Sequence, residues 1–439
     1  MPPRNETGLT VKIVSSLVIV IIILIAIAVG CLIHSKKRQK ELIDLISKTY
    51  SNHDFTQASS YDFDEFYDSG TLQRQLDEEY EIEDVDGFDP RKDCRKPTLK
   101  VPYSTNLEIR HSKFRMNEKI GSGNFGSVYK GQLVGLSDSS FPTAVAIKTI
   151  NDTGNVNDLR DLLDEIKLMS RIDPHPNLVS MIGSCTSGLK ESGRLWLVLE
   201  FCEHGNLKTF VEDNKMQLLQ ERSKVMNSKN LLLWAYDIAN GMEYLAEKRI
   251  MHGDLATRNI LLGDNPLKEE RLIAKVADFG LSKKFYVDIK TYEKRSRVFV
   301  PWRWMAIEFL LDHYFTLQSD IWSYGVLVWE LLSFGKIPYG HQDYDEVSQK
   351  LESGYRLPCP KEVANISAWS PKIVYQEISE QCFNENPEKR ATFSQIKGML
   401  SNHMTLEEID NYKRIKQSYR SNSDNFVRIS KLESRNLQS

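Results

Sequence analysis

From Ile13 to Ile33 the chain runs 21 residues without a charge, broken only by Ser15, Ser16, Gly30 and the mild Cys31. Wound as a helix, such a run reaches roughly 31 Å, close to the hydrocarbon thickness of a bilayer. One membrane crossing is therefore expected. Ala26-Ile27-Ala28 resembles the small-residue site of a cleaved signal peptide, the competing reading, but the apolar core of a signal peptide normally ends by about 15 residues. His34-Ser35-Lys36-Lys37-Arg38-Gln39-Lys40 follows the run, against only Arg4 and Lys12 before it, and this bias places the C-terminal mass in the cytoplasm. The expected layout is a short extracellular N-terminus at 1–12, a transmembrane helix at 13–33 in the cell membrane, and cytoplasmic chain beyond. Asn5-Glu6-Thr7 matches a glycosylation sequon, but so close to terminus and bilayer it is read as unused. Ala26 and Gly30 form a small-xxx-small pair; such pairs are common in membrane helices, and packing of two spans is the less favoured reading.

The 439 residues exceed what one hydrophobic core usually organises, so a large two-lobed unit or two domains with tails is expected. A formal net charge of -3 argues against nucleic acid as the main partner. The six cysteines, Cys31, Cys94, Cys185, Cys202, Cys359 and Cys382, show no C-x-x-C pairing and fit a reducing compartment. Residues 34–113 lack sustained helical or strand period, and 61–89 is acidic around Tyr61, Tyr67 and Tyr80, which reads as a disordered juxtamembrane linker. From Phe114 short apolar strands, then a helical period, then long helices follow, the order of an α+β unit leading into an α-rich one. Asp213 to Lys229 reads as an insertion between helices. From 405 to 439 the chain is polar and basic, expected as a solvated tail.

Within that plan, Gly121-Ser122-Gly123-Asn124-Phe125-Gly126-Ser127-Val128 stands between strand-like stretches. Backbone amides can approach phosphate oxygens closely where no Cβ intervenes, and strand followed by strand suits a hairpin over phosphates rather than a dinucleotide fold. In Val145-Ala146-Ile147-Lys148 an apolar strand ends on a lysine, a residue that avoids burial without an anion to meet. Downstream, Leu159, Leu162, Ile166 and Met169 recur at helical spacing and carry Glu165 to the inward face, where it can pair with Lys148. His252-Gly253-Asp254-Leu255-Ala256-Thr257-Arg258-Asn259 joins a helical run to the apolar Ile260-Leu261-Leu262, and Ala277-Asp278-Phe279-Gly280 ends the next apolar stretch.

Taken in order and at these separations, the motifs from about 114 to 404 resemble a protein kinase domain, with a small β-rich N-lobe and a larger helical C-lobe. The resemblance implies ATP and Mg²⁺ as cofactors. It makes Ile120, Gly121, Gly123, Gly126, Val128, Ala146, Lys148, Glu200 and Cys202 the ATP-binding residues, with Leu199 behind the adenine and Glu200, Phe201 and Cys202 as the hinge whose backbone bonds it. It makes Asp254 the base that orients the acceptor hydroxyl, with Lys148, Glu165 and Arg258 as its catalytic companions, and Asn259 and Asp278 the metal ligands. Asp320 would bond the catalytic-loop backbone, and Glu308 with Arg390 would tie down the end of the activation segment. Asp254-Leu255-Ala256-Thr257-Arg258-Asn259 is similar to the tyrosine kinase pattern, since serine/threonine kinases place a lysine where Ala256 stands. Pro301-Trp302-Arg303-Trp304-Met305-Ala306 resembles the same group's aromatic substrate platform, so protein tyrosines are the expected acceptors.

Span, basic stop, linker and kinase domain together resemble a receptor tyrosine kinase, and are similar to a divergent group of nematode receptor-type kinases with very short extracellular parts. That implies action on protein substrates, a homodimer or co-receptor as partner, and Tyr292, with Tyr286 nearby, as autophosphorylation candidates. Three positions depart from the family pattern: Gly253 replaces the arginine that would meet an activation-segment phosphate, Ile307 a proline, and Arg303 a lysine. The alternative at this stage is a pseudokinase scaffold that binds nucleotide and partners without transfer, supported only by Gly253.

Overall fold

A computed structural model describes residues 107–123, 126–134, 143–151, 156–186, 195–267, 271–279, 301–312, 315–367 and 369–419. The expected span at 13–33, the linker through residue 106, Tyr286 and Tyr292 lie outside the described residues. Among the described residues no helix is long and apolar enough to cross a membrane. Apart from the first two residues of one helix, every element below belongs to a unit made of Asp89–Gly154, Asp158–Ser187 and Leu195–Ser439.

Strands β1 (Phe114–Gly123), β2 (Gly126–Leu133), β3 (Thr143–Thr149), β4 (Met181–Cys185) and β5 (Trp196–Glu200) form an antiparallel sheet in the order β1-β2-β3-β5-β4. Val145 and Ile147 are fully buried in a core with Ile109, Leu133, Cys185, Trp196 and Val198. Side chains alternate along a strand, so Ala146 and Lys148 face the opposite way. The sheet thus fixes both the position and the direction of the lysine. Gly123 pairs with Gly126 at the end of the β1–β2 hairpin, and a Cβ on Gly126 would stand 2.2 Å from the backbone oxygen of Thr149. Position 126 is closed to any side chain.

Helix α1 (Val156–Met169) buries Leu162, Ile166 and Met169, three and four residues apart, and Glu165 is 3% exposed. The expected placement of that carboxylate on the inward face is what the structure shows.

The helical part comprises α2 (Leu207–Asp213), α3 (Lys215–Leu219), α4 (Lys229–Glu247), α5 (Ile307–Asp312), α6 (Leu317–Leu332), α7 (Tyr344–Glu352), α8 (Pro371–Cys382) and α9 (Phe393–Ser401), with a hairpin of β6 (Ile260–Gly263) and β7 (Ile273–Val276). Helix α6 starts in a capping box, Thr316 and Ser319 satisfying each other's backbone amides, and is apolar enough to be buried nearly all round. The Tyr324 hydroxyl donates to the Ala235 carbonyl at 2.8 Å, tying α6 to α4. On α4 a Cβ at Gly241 would meet the Asn177 carbonyl oxygen at 2.6 Å, so only glycine admits this approach.

Residues 214–228 lie between α2 and α4 as expected and include α3, whose Leu218 is fully buried. Two expectations change. Residues 107–113, expected as part of the disordered linker, pack instead: Ile109 is 5% exposed in the sheet core and its amide donates to the Ser184 carbonyl at 2.8 Å. The tail expected to be solvated from 405 onward instead forms a helix at 406–419, α10, with Tyr412 6% and Ile415 1% exposed. Polar and charged side chains make up most of it, while Tyr412, Ile415 and Tyr419, spaced by three and four, form the stripe that packs.

Candidate active site

The segment His252–Asn259 is held from below by Asp320, in the first turn of α6. Its carboxylate accepts the backbone amides of His252 at 2.8 Å and Gly253 at 3.0 Å. Burial pushes the Asp320 carboxyl up to about 7, and these two amides oppose that rise. Gly253 has φ 77, a left-handed torsion that glycine adopts without the Cβ clash other residues meet. Burial lowers the His252 imidazole to about 4. The neutral ring bonds on both sides: Nε2 donates to the Ala277 carbonyl at 3.0 Å and Nδ1 accepts the Asp254 amide at 3.2 Å.

Asp254 accepts from the Arg258 Nη2 at one oxygen and from the Asn259 Nδ2 at the other, the latter at 2.8 Å. Burial still raises its carboxyl to about 6, the Arg258 charge opposing. A carboxylate so tuned is ionised at neutral pH yet can take a proton.

Above it, Lys148 Nζ lies 2.8 Å from both Glu165 oxygens and 3.0 Å from Asp278 Oδ1. Burial works against the ammonium, but Asp278 and Glu165 together outweigh it and hold the Lys148 pKa above its ordinary value. Asp278 has φ 64, a strained torsion for a residue with a Cβ, worth about 1–3 kcal/mol, and the Lys148 bond helps to maintain it. Five of the expected residues, Lys148, Glu165, Asp254, Asn259 and Asp278, therefore converge.

Asn259 spends its amide nitrogen on Asp254, through both the backbone oxygen at 2.7 Å and the carboxylate, leaving its side-chain oxygen for another partner. No group of three His, Cys, Asp or Glu side chains able to hold a metal occurs among the described residues. An amide oxygen on Asn259 and a carboxylate on Asp278 suit Mg²⁺, which keeps waters and takes phosphate oxygens beside one or two protein ligands.

Of the expected nucleotide residues, Ile120 is 47% exposed, Ala146 lies opposite Leu199 on β5, and Val128 opposite Lys148 on β3. Leu199 and Leu261 pack against Val179, Cys202 and Ala277, an apolar patch that links β5 to the β6–β7 hairpin. Below, the Arg258 guanidinium carbon stands 4.2 Å from the Trp304 ring centroid. Trp302 meets Tyr344 edge-on at 5.9 Å, and Arg303 covers Trp302 at 4.1 Å while donating to the Gln342 carbonyl. The Glu308–Arg390 pair is bidentate at 2.8 and 2.6 Å and buried.

Two positioning residues escaped the motif reading. Glu330, 1% exposed on α6, accepts both the Trp304 Nε1 and the Thr257 amide, joining the aromatic segment to the Asp254 loop. Lys275, 2% exposed on β7, pairs with Glu200 at 3.0 Å. In each case the available signal was a charge inside an otherwise apolar element, Ile321–Leu332 or Ile273–Val276.

A five-stranded sheet with one helix, a helical lobe, and these side chains between glycine hairpin and loop define the two-lobed protein kinase class. The chain belongs to the protein tyrosine and serine/threonine kinase family, whose sequence model matches residues 114–400. It is 35% identical over 311 residues to the angiopoietin-1 receptor of Danio rerio, covering 69% of this chain and 25% of that one. It is 33% identical to the tyrosine kinase receptor Cad96Ca of Drosophila melanogaster, covering 66% and 35%. It is 32% identical to a fibroblast growth factor receptor of Hydra vulgaris, covering 72% and 37%. The chain thus spans well under half the length of these curated relatives.

Proposed function

We propose that the protein is a membrane-anchored protein tyrosine kinase that transfers the γ-phosphoryl group of ATP to tyrosine hydroxyls of proteins on the cytoplasmic side. The observation that carries this reading is the pair of bonded sets, Lys148–Glu165–Asp278 and Asp254–Arg258–Asn259, with each side chain bonded to another of its set.

In this reading the glycine hairpin at Gly121, Gly123 and Gly126 covers the phosphates with backbone amides, and Ile120, Val128, Ala146 and Leu261 enclose the base against the Glu200–Cys202 backbone. Lys148, oriented by Glu165, meets the phosphate oxygens. Asn259 and Asp278 would hold Mg²⁺, which would supply positive charge to offset that of the phosphates. Asp254 accepts a hydrogen bond from the acceptor phenol, aligns its oxygen with the γ-phosphorus and takes the proton as the new O–P bond forms and the bond to ADP breaks. Arg258, stacked on Trp304, keeps the Asp254 carboxylate in place, and the platform at 301–306 supports the flat phenol ring.

Support for tyrosine as acceptor comes from Ala256 and Arg258 in the loop and from the tyrosine kinase receptor Cad96Ca among the relatives. Support for anchorage comes from the uncharged run at 13–33 and its basic flank. The bilayer, a second copy or a co-receptor, and protein substrates are the partners, and Tyr292 and Tyr286 are candidate autophosphorylation sites. Gly253 lacks the side chain that would meet an activation-segment phosphate, so phosphate-independent activity belongs to this proposal.

The test is mass spectrometry of the full chain in detergent after incubation with Mg-ATP and a tyrosine-rich polymer, beside Asp254→Asn. New phosphotyrosine with the parent alone is the expected result. Bound nucleotide without any phosphotyrosine would replace this reading by the nucleotide-binding scaffold.

A further inference from the structure

Helix α10 at 406–419 lies beyond the family match, which ends at 400, yet it is pinned to the kinase unit at two levels. At the first, the Tyr412 hydroxyl donates to Asn177 Oδ1 at 2.7 Å and its ring meets Tyr236 edge-on at 5.2 Å. Seven residues further on, on the same helical face, the Tyr419 hydroxyl accepts a hydrogen bond from Lys275 Nζ, and that ammonium lies 4.6 Å from the Tyr419 ring centroid. Lys275 is 2% exposed, and an ammonium so deep must have its charge met. Its other partner is Glu200 Oε1 at 3.0 Å, an oxygen that also accepts the Ser180 amide at 2.7 Å. Glu200 is the last residue of β5 and the first of the segment placed against the adenine. One line of contacts therefore runs Tyr419, Lys275, Glu200, Ser180.

We propose that α10 braces the adenine-binding segment from behind, with Tyr419 a positioning residue that sets nucleotide affinity through Lys275 and Glu200. The proposal rests on the nucleotide-site reading of Glu200 to Cys202. The ammonium divides its hydrogen bonds between a carboxylate on the strand end and a phenol on the docked helix. Without the phenol oxygen it is drawn to Glu200 alone, and that carboxylate, shared with the Ser180 amide, moves with the backbone that carries it. Tyr412 and Ile415 attach the helix; Tyr419 alone among its described residues bonds to the Lys275–Glu200 pair.

The two anchors separate bracing from attachment. In the full chain, Tyr419→Phe keeps the ring and removes the oxygen. It is expected to raise the dissociation constant for ADP by calorimetry, and KM for ATP, roughly two- to tenfold with kcat unchanged. Tyr412→Phe is expected to lower the melting temperature and leave nucleotide affinity as in the parent. Parental affinity in Tyr419→Phe, or an equal loss in Tyr412→Phe, overturns the brace. ADP binding needs no phosphoryl transfer, so a chain that binds ADP but makes no phosphotyrosine defeats the kinase reading while still deciding this one.

Discussion

The molecule holds two buried cation–carboxylate pairs that read alike in sequence and differ in their surroundings. Arg390 is sealed: its side chain is 0% exposed, and its donors meet both Glu308 oxygens and the carbonyls of Gln318 and Asn384. The Lys148 side chain is 11% exposed, and its second partner, Asp278, is 41% exposed. A pair closed off from solvent can only fix geometry. A pair whose outer partner faces solvent can exchange that partner for an incoming anion. The difference lies in how far each pair is open to solvent, and it separates a structural tie from a site.

Substitutions sharpen that contrast. Glu308→Gln leaves Arg390 buried without its counter-charge and is expected to cost about 3–5 kcal/mol in chemical denaturation; a loss under about 1 kcal/mol would break the comparison. Lys148→Met is expected to lower kcat by about 10²–10³, with a smaller stability loss than Glu308→Gln because water can reach Asp278. Equal stability losses would make the two pairs one kind. The open cluster is also expected to titrate through activity. With Asp254 held near about 6 by burial, protonation below that value removes the base, so kcat/KM should fall as pH drops through 6, approaching about tenfold per unit, and Asp254→Asn should abolish this limb. The smallest effect belongs to Tyr412→Phe, expected to cost about 1–2 kcal/mol by leaving Asn177 Oδ1 without its donor.

What the sequence revealed follows the same division. Lys148, Glu165, Asp254, Asn259 and Asp278 stood out because each sits at a fixed offset from an apolar strand or helix, and apolar periodicity fixes direction as well as position. Glu330 and Lys275 carry charges inside equally apolar elements, but their partners, Trp304 and Thr257 in one case and Glu200 in the other, are distant in sequence. The charge was the one local sign, and it named no partner. The helix at 406–419 was concealed differently: three packing residues, Tyr412, Ile415 and Tyr419, are diluted among Lys413, Arg414 and Lys416, so average polarity outweighed a narrow stripe.

That helix also decides where the autonomous piece of the chain stops. A fragment trimmed at residue 400, as the family match suggests, would strip the cover from Tyr236 and Asn177 and expose Lys275 to water. Excision for expression, crystallisation or inhibitor screening should therefore run at least through Tyr419, since a shorter piece would leave the Lys275 ammonium and the Asn177 amide oxygen without the phenols that meet them in the intact protein.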